Sequence, residues 1–97
     1  MMTSKKIIKI NIETVVKKTV GRKLHTYDTW NGDSMTITVE EVKEETDGVR
    51  FIGTNSCGGK SGIYVGKDYV KPLIRTGEAE KHNEVDHCDV RTTWSLK

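Results

Sequence analysis

Between Asp33 and Leu73 the chain repeats one pattern: a short alternating apolar run followed by a turn that carries glycine. Met35, Ile37 and Val39 alternate with Thr36, Thr38 and Glu40 before Asp47-Gly48 turns the chain into Val49–Gly53. Cys57-Gly58-Gly59-Lys60 then leads to the apolar segment Ile63–Val65. A period of two puts one set of side chains in a core and the other in water, so these segments are expected as half-buried strands. Val42 continues the strand that holds Val39 only across a β-bulge, because the step from 39 to 42 breaks the period. The expected class is all-β. At 97 residues the chain forms a single domain, residues 1–97, with a thin core.

The flanks extend the same reading. Ile8, Ile10 and Ile12 alternate with Lys9 and Asn11, which predicts a first strand over 6–12. Val16 and Val20 lie one helical turn apart, but residues 13–20 are rich in β-branched side chains, so a strand is expected there too. A further strand spans 22–30, closed by Asn31-Gly32 as a tight hairpin turn. Residues 54–62 lack apolar periodicity and read as a mobile loop. Tyr69, Val70, Leu73 and Ile74 are expected to close a barrel, with Pro72 at an edge or strand end. Residues 75–84 read as a polar linker, and Cys88, Val90, Thr92, Trp94 and Leu96 alternate as a last strand.

The net charge of +2 conceals blocks of opposite sign. Residues 1–23 carry a net +6, residues 24–48 a net −6, residues 49–75 a net +4 and residues 76–97 a net −2. Adjacent blocks of equal size are expected to face each other across neighbouring strands and cancel. No apolar run approaches the ~20 residues of a membrane helix, so a cytoplasmic location without membrane contact is expected. In that compartment Cys57 and Cys88 are expected as free thiols.

Several motifs suggest chemistry and fail on spacing. Gly59-Lys60-Ser61 lacks the glycine that a phosphate-cradling loop needs at position 54, which is threonine, and it precedes a strand where such a loop needs a helix. Cys57, His82, His87 and Cys88 are suitable zinc ligand types, yet the usual paired-cysteine half is absent. Exposed histidines with a packed Cys88 are expected, without metal or cofactor. No nucleophile has a base placed by sequence, so no catalytic activity is expected.

The central forty residues resemble an SH3 domain. Gly32-Asp33 opens the alternating strand Met35–Val42, and the acidic stretch Glu44-Glu45-Thr46-Asp47-Gly48 leads into Val49–Gly53. Gly62-Ile63-Tyr64 matches the family's Gly-Leu-Phe element, and Asp68-Tyr69-Val70 matches its Asn-Tyr-Val ending. Val49-Arg50 stands where the peptide groove has its tryptophan, and the proline before the Asn-Tyr segment is missing. The resemblance is therefore to the divergent SH3-like barrels of bacterial and phage accessory proteins, here with extra N- and C-terminal strands. It implies a small non-enzymatic module that binds another protein, in keeping with a regulator or inhibitor of a larger host complex. Carried over, the partner-binding residues are Tyr27, Trp30, Asp33, Glu45, Asp47 and Tyr69. The alternative is a nucleic-acid-binding barrel that uses Lys9, Arg22, Lys23, Arg50, Lys60, Lys67 and Lys71 to track phosphates.

Overall fold

The computed structural model describes residues 10–97. Its elements in chain order are α1 (Ile12–Thr19), β1 (Lys23–Asp28), β2 (Ser34–Glu45), β3 (Gly48–Asn55), β4 (Lys60–Gly66), α2 (Lys67–Thr76), β5 (Glu78–Val85) and β6 (Cys88–Leu96). The chain is a small all-β fold in which one antiparallel sheet, ordered β4-β3-β2-β1-β6-β5, carries both helices on one face. The molecule is a slab of 52 × 38 × 22 Å.

The central hairpin follows the pattern of its sequence. Residues opposite one another in an antiparallel pair share a face, so Leu24, Ile37 and Leu96 line up towards the helices. The expected bulge interrupts the β2–β3 register between Val39 and Glu41 and returns Val42 to the face of Phe51. Gly53 sits opposite the bulge, where an added Cβ would lie 1.8 Å from the Thr38 carbonyl oxygen. Glycine is required there because a backbone, not a flexible side chain, occupies the space. Asp47 turns β2 into β3 with φ 62°.

Four segments differ from their sequence reading. The strand expected over 6–12 lies outside the described residues up to Lys9, and Ile12 already begins α1. Residues 13–20 are likewise helical up to Thr19. Asn11 accepts from the Thr14 amide at 3.3 Å, Glu13 occupies the first turn and Lys17 and Lys18 the last, all favourable to the helix dipole. Val15 and Thr19, four residues apart, are its buried stripe, and packing against β2 outweighs the modest β-branched penalty.

Tyr69, Val70, Leu73 and Ile74, expected to close a barrel, belong to α2, and the six strands form one sheet whose ends β4 and β5 are not paired with each other. The spacing 69, 70, 73, 74 is a helical stripe, and it seals the sheet face with Val70 and Leu73 fully buried. Gly77 at φ 87° ends the helix, and its amide caps the Leu73 carbonyl at 2.9 Å. Of residues 75–84, read as linker, the first two end α2 and those from Glu78 on form edge strand β5, where one partner strand and one covered face suffice for a polar sequence. The loop expected over 54–62 shrinks to Ser56–Gly59 because the Asn55 side chain accepts from the Cys57 and Gly59 amides, at 2.9 and 3.1 Å, and donates to Ser61 at 2.7 Å. The last strand, 88–96, is as expected.

The core comprises Val15, Leu24, Ile37, Val39, Val49, Phe51, Ile63, Val65, Val70, Leu73, Trp94 and Leu96. Each large apolar side chain buried there contributes roughly 1.5–3 kcal/mol. The opposite sheet face has no helix over it among the described residues.

Candidate functional site

The residues assigned to one recognition face fall into three places. Tyr27 and the β1–β2 loop form one end of the sheet. Trp30 is 53% exposed at the tip of this loop. Asp28 Oδ1 accepts from the Trp30 amide at 2.9 Å, Asn31 Oδ1 from the Asp33 amide at 3.0 Å, and Gly32 takes φ 73°. The loop therefore runs from Thr29 to Asp33, longer than the two-residue turn expected at Asn31-Gly32. Thr29 and Arg91 pin it to β6 through hydrogen bonds of 2.9 and 2.8 Å. Glu45 and Asp47 lie at the far end of β2, about 36 Å away at roughly 3.3 Å per strand residue. Tyr69 is on α2 and stacks on Trp94, with ring centroids 5.4 Å apart and planes inclined by 33°.

The basic residues are dispersed too, and several are neutralised. Glu45 accepts from Arg50 Nε at 2.8 Å, which lowers the carboxyl pKa and raises that of the guanidinium. Glu40 pairs with Lys60 and accepts from Thr54 Oγ1 at 2.7 Å, and those two hydrogen bonds hold its carboxyl below the usual range. Lys67 Nζ lies 3.7 Å from Asp47. The acidic block 24–48 is thus matched by the basic block 49–75 across β2, β3 and β4. Adjacency in sequence pointed to residues 1–23, of whose cations Lys5, Lys6 and Lys9 lie outside the described residues. Arg50 also lies over the Tyr64 ring at 5.7 Å.

A different basic cluster remains at the end of the sheet where α1 stops. Arg22 donates to the Lys18 carbonyl at 2.9 Å, and Lys23 and Lys97 exchange backbone hydrogen bonds of 3.2 and 2.9 Å. Lys18, Arg22, Lys23 and Lys97 are all exposed. Lys71 stands apart on α2, and Lys9 lies outside the described residues.

The cavity that best combines shape with chemistry lies between α2, β5 and β6. It is an open cleft of about 540 Å³. Tyr69, Pro72 and Trp94 give it an apolar floor, while Asp68 and Glu78 bring carboxylates to its rim. Asp68 is placed by the first turn of α2, and Glu78 by the strand that starts directly after Gly77. Trp94 is held in the core between Thr26 and Ala79 on the flanking strands, so it offers only its rim to the cleft. Of these residues only Tyr69 was singled out from sequence, because Asp68 and Glu78 meet only if 67–76 is a helix. The helical spacing of Tyr69, Val70, Leu73 and Ile74 is the signal that would have placed them.

The histidines and cysteines do not converge. His82 bonds to Glu80 and lies 3.4 Å from Asp89, and His87 occupies the β5–β6 turn. Cys57 and Cys88 are free thiols, and Cys88 is exposed where packing was expected, at the start of its strand beside the turn. Among the described residues no three such side chains are disposed to hold a metal ion, and no helix is long and apolar enough to cross a membrane. No family model matches the chain, and no curated protein or solved structure matches it either.

Proposed function

We propose that this chain is a small non-enzymatic protein-binding module that takes a lysine- or arginine-bearing segment of its partner in the cleft between α2 and β5–β6. One observation carries the reading: aromatic rings and carboxylates meet at the same opening, with Tyr69 and Trp94 below Asp68 and Glu78. An aliphatic stem lies well on such a floor, and the cationic head then reaches the carboxylates at its rim. The cleft is open rather than enclosed, which suits one side chain of a macromolecule better than a small metabolite surrounded on all sides. A role as regulator or inhibitor of a larger complex agrees with a small binding module.

The second reading, nucleic-acid binding, rests on the exposed cluster of Lys18, Arg22, Lys23 and Lys97. One experiment separates the two. The chain and its Asp68→Lys/Glu78→Lys variant are immobilised for capture from native lysate, and both are titrated by fluorescence anisotropy against DNA and RNA at two salt concentrations. Both substituted side chains are exposed, so the fold should persist, as circular dichroism would verify. Salt-sensitive capture of a protein that the variant loses supports the cleft. Equal capture by the variant rejects it, and salt-dependent nucleic-acid binding by both chains favours the second reading.

A further inference from the structure

The sheet face turned away from the helices keeps its charges in separate places. Because Leu24 points to the helices, Lys23, His25 and Tyr27 point the other way along β1. Antiparallel pairing sets Thr38 and Thr36 beside the first two on β2, and Ser95 beside His25 on β6. Lys97 stands opposite Lys23 through the backbone bonds they exchange. Carboxylates of this face keep to its margins, among them Glu78 and Glu80 on β5 and, beyond the bulge, Glu40 and Glu45 paired with Lys60 and Arg50. The cations at the end of β1 are unanswered. Among the described residues no carboxylate lies within ion-pair reach of Lys18, Arg22, Lys23 or Lys97, and residues 1–9 hold three lysines and no Asp or Glu.

We propose that a single-stranded nucleic acid lies along β1 on this face, with phosphates at Lys23 and Lys97 and an unpaired base on Tyr27. The proposal deepens the nucleic-acid reading of function and does not depend on the cleft. A shallow depression of about 100 Å³ opens beside Lys23, bounded by the hydroxyl-bearing side chains of Thr36, Thr38 and Thr54. An ammonium and hydroxyl donors are what a phosphate oxygen takes. Tyr27 is 41% exposed and stands about 13 Å along the strand from Lys23, at roughly 3.3 Å per residue. Its ring can stack only on a base that has left its pair, so the surface suits a single strand and not a duplex. An acidic peptide would answer the lysines alone. A polynucleotide brings a planar ring with every charge, and Lys23 and Tyr27 on one strand match that alternation. The hydroxyls and imidazole between them meet sugar and base edges without selecting a sequence.

Fluorescence anisotropy of the full chain against labelled oligothymidylate, oligouridylate and a duplex of equal length, at several salt concentrations, tests the proposal. Either single strand should bind more tightly than the duplex. Lys23→Ala should lower the slope of log affinity on log salt by about 0.7, the contribution of one phosphate on a single strand. Tyr27→Ala should weaken binding at least about fivefold, the low end for one stacked base, and Tyr27→Phe should keep it. Both side chains are exposed, and circular dichroism verifies the fold of each variant. No single-strand binding up to about 0.1 mM protein overturns the proposal, as does a duplex bound equally well. So does an unchanged salt slope in Lys23→Ala, or undiminished binding by a folded Tyr27→Ala. Neither substitution touches Asp68 or Glu78, so oligonucleotide binding and cleft-dependent capture succeed or fail separately.

Discussion

Replacing Gly53 with alanine tests the register that the rest of the sheet depends on. The new Cβ would stand 1.8 Å from the Thr38 oxygen, 2.7 Å from its carbonyl carbon and 3.2 Å from Val39 Cα. A carbon and a carbonyl oxygen meet comfortably at about 3.3 Å, so β2 or β3 must retreat by roughly 1.5 Å. All three obstacles are backbone, in the bulge itself, and no rotamer change relieves them. Overpacking in a core costs about 1–3 kcal/mol, and a clash with main chain belongs at the top of that range. Losing the bulge instead would turn Val42 and the rest of β2 to the wrong face. A loss of about 3 kcal/mol is therefore expected, against the roughly 5–15 kcal/mol that holds a domain together. At about 4–8 °C per kcal/mol for a chain of this length, the melting temperature should fall by ~12–24 °C. Thermal and urea unfolding followed by circular dichroism measure this, with Gly62→Ala as control, where a change within about 0.5 kcal/mol is expected. A Gly53→Ala variant within about 1 kcal/mol of wild type would refute the bulge geometry.

Two further outcomes follow from the β5–β6 turn and the paired carboxylates. Asp86 and His87 both take positive φ, 51° and 67°, as a two-residue turn of the I′ kind demands, so His87→Gly should raise stability by about 1 kcal/mol in urea unfolding. No gain, or a loss, would show the turn to be formed otherwise. Hydrogen bonds from Lys60 and Arg50 lower the pKa values of Glu40 and Glu45 in the folded chain below the ordinary carboxyl value of 4.5. Their contribution is therefore complete above pH 4.5 and is lost as pH falls through the lowered folded values. Stability measured down the pH scale should decline there, and less steeply in a Glu40→Gln/Glu45→Gln variant; equal slopes would remove those pairs as the cause.

The β2–β3 hairpin, its bulge and the final strand were legible in the residues because a period of two and a glycine turn are local facts. Position 42 out of phase with 39 is enough to require a bulge, whatever surrounds it. Residues 13–20 and 69–74 were not legible as strands or helices by composition alone. β-branched content in the first and a match to a strand-ending motif in the second pointed to strands, and the cap at Asn11 and the sheet face awaiting cover made both helical. The β5–β6 turn escaped notice because Asp-His carries no glycine, and only the pairing of its strands imposes positive φ on both residues.

The chain by itself determined that this would be a small sheet protein, since short alternating runs leave nothing else to bury. Tertiary structure alone decided what its surface offers. Which charges cancel depends on β2 lying beside β3, with β4 next to it. Tyr69 meets Trp94, and Asp68 comes near Glu78, only because a ten-residue helix carries the chain from one edge of the sheet to the other. Sequence periodicity reports which face of an element is buried. It holds no record of which distant element does the burying, and that is where this protein's candidate site is made.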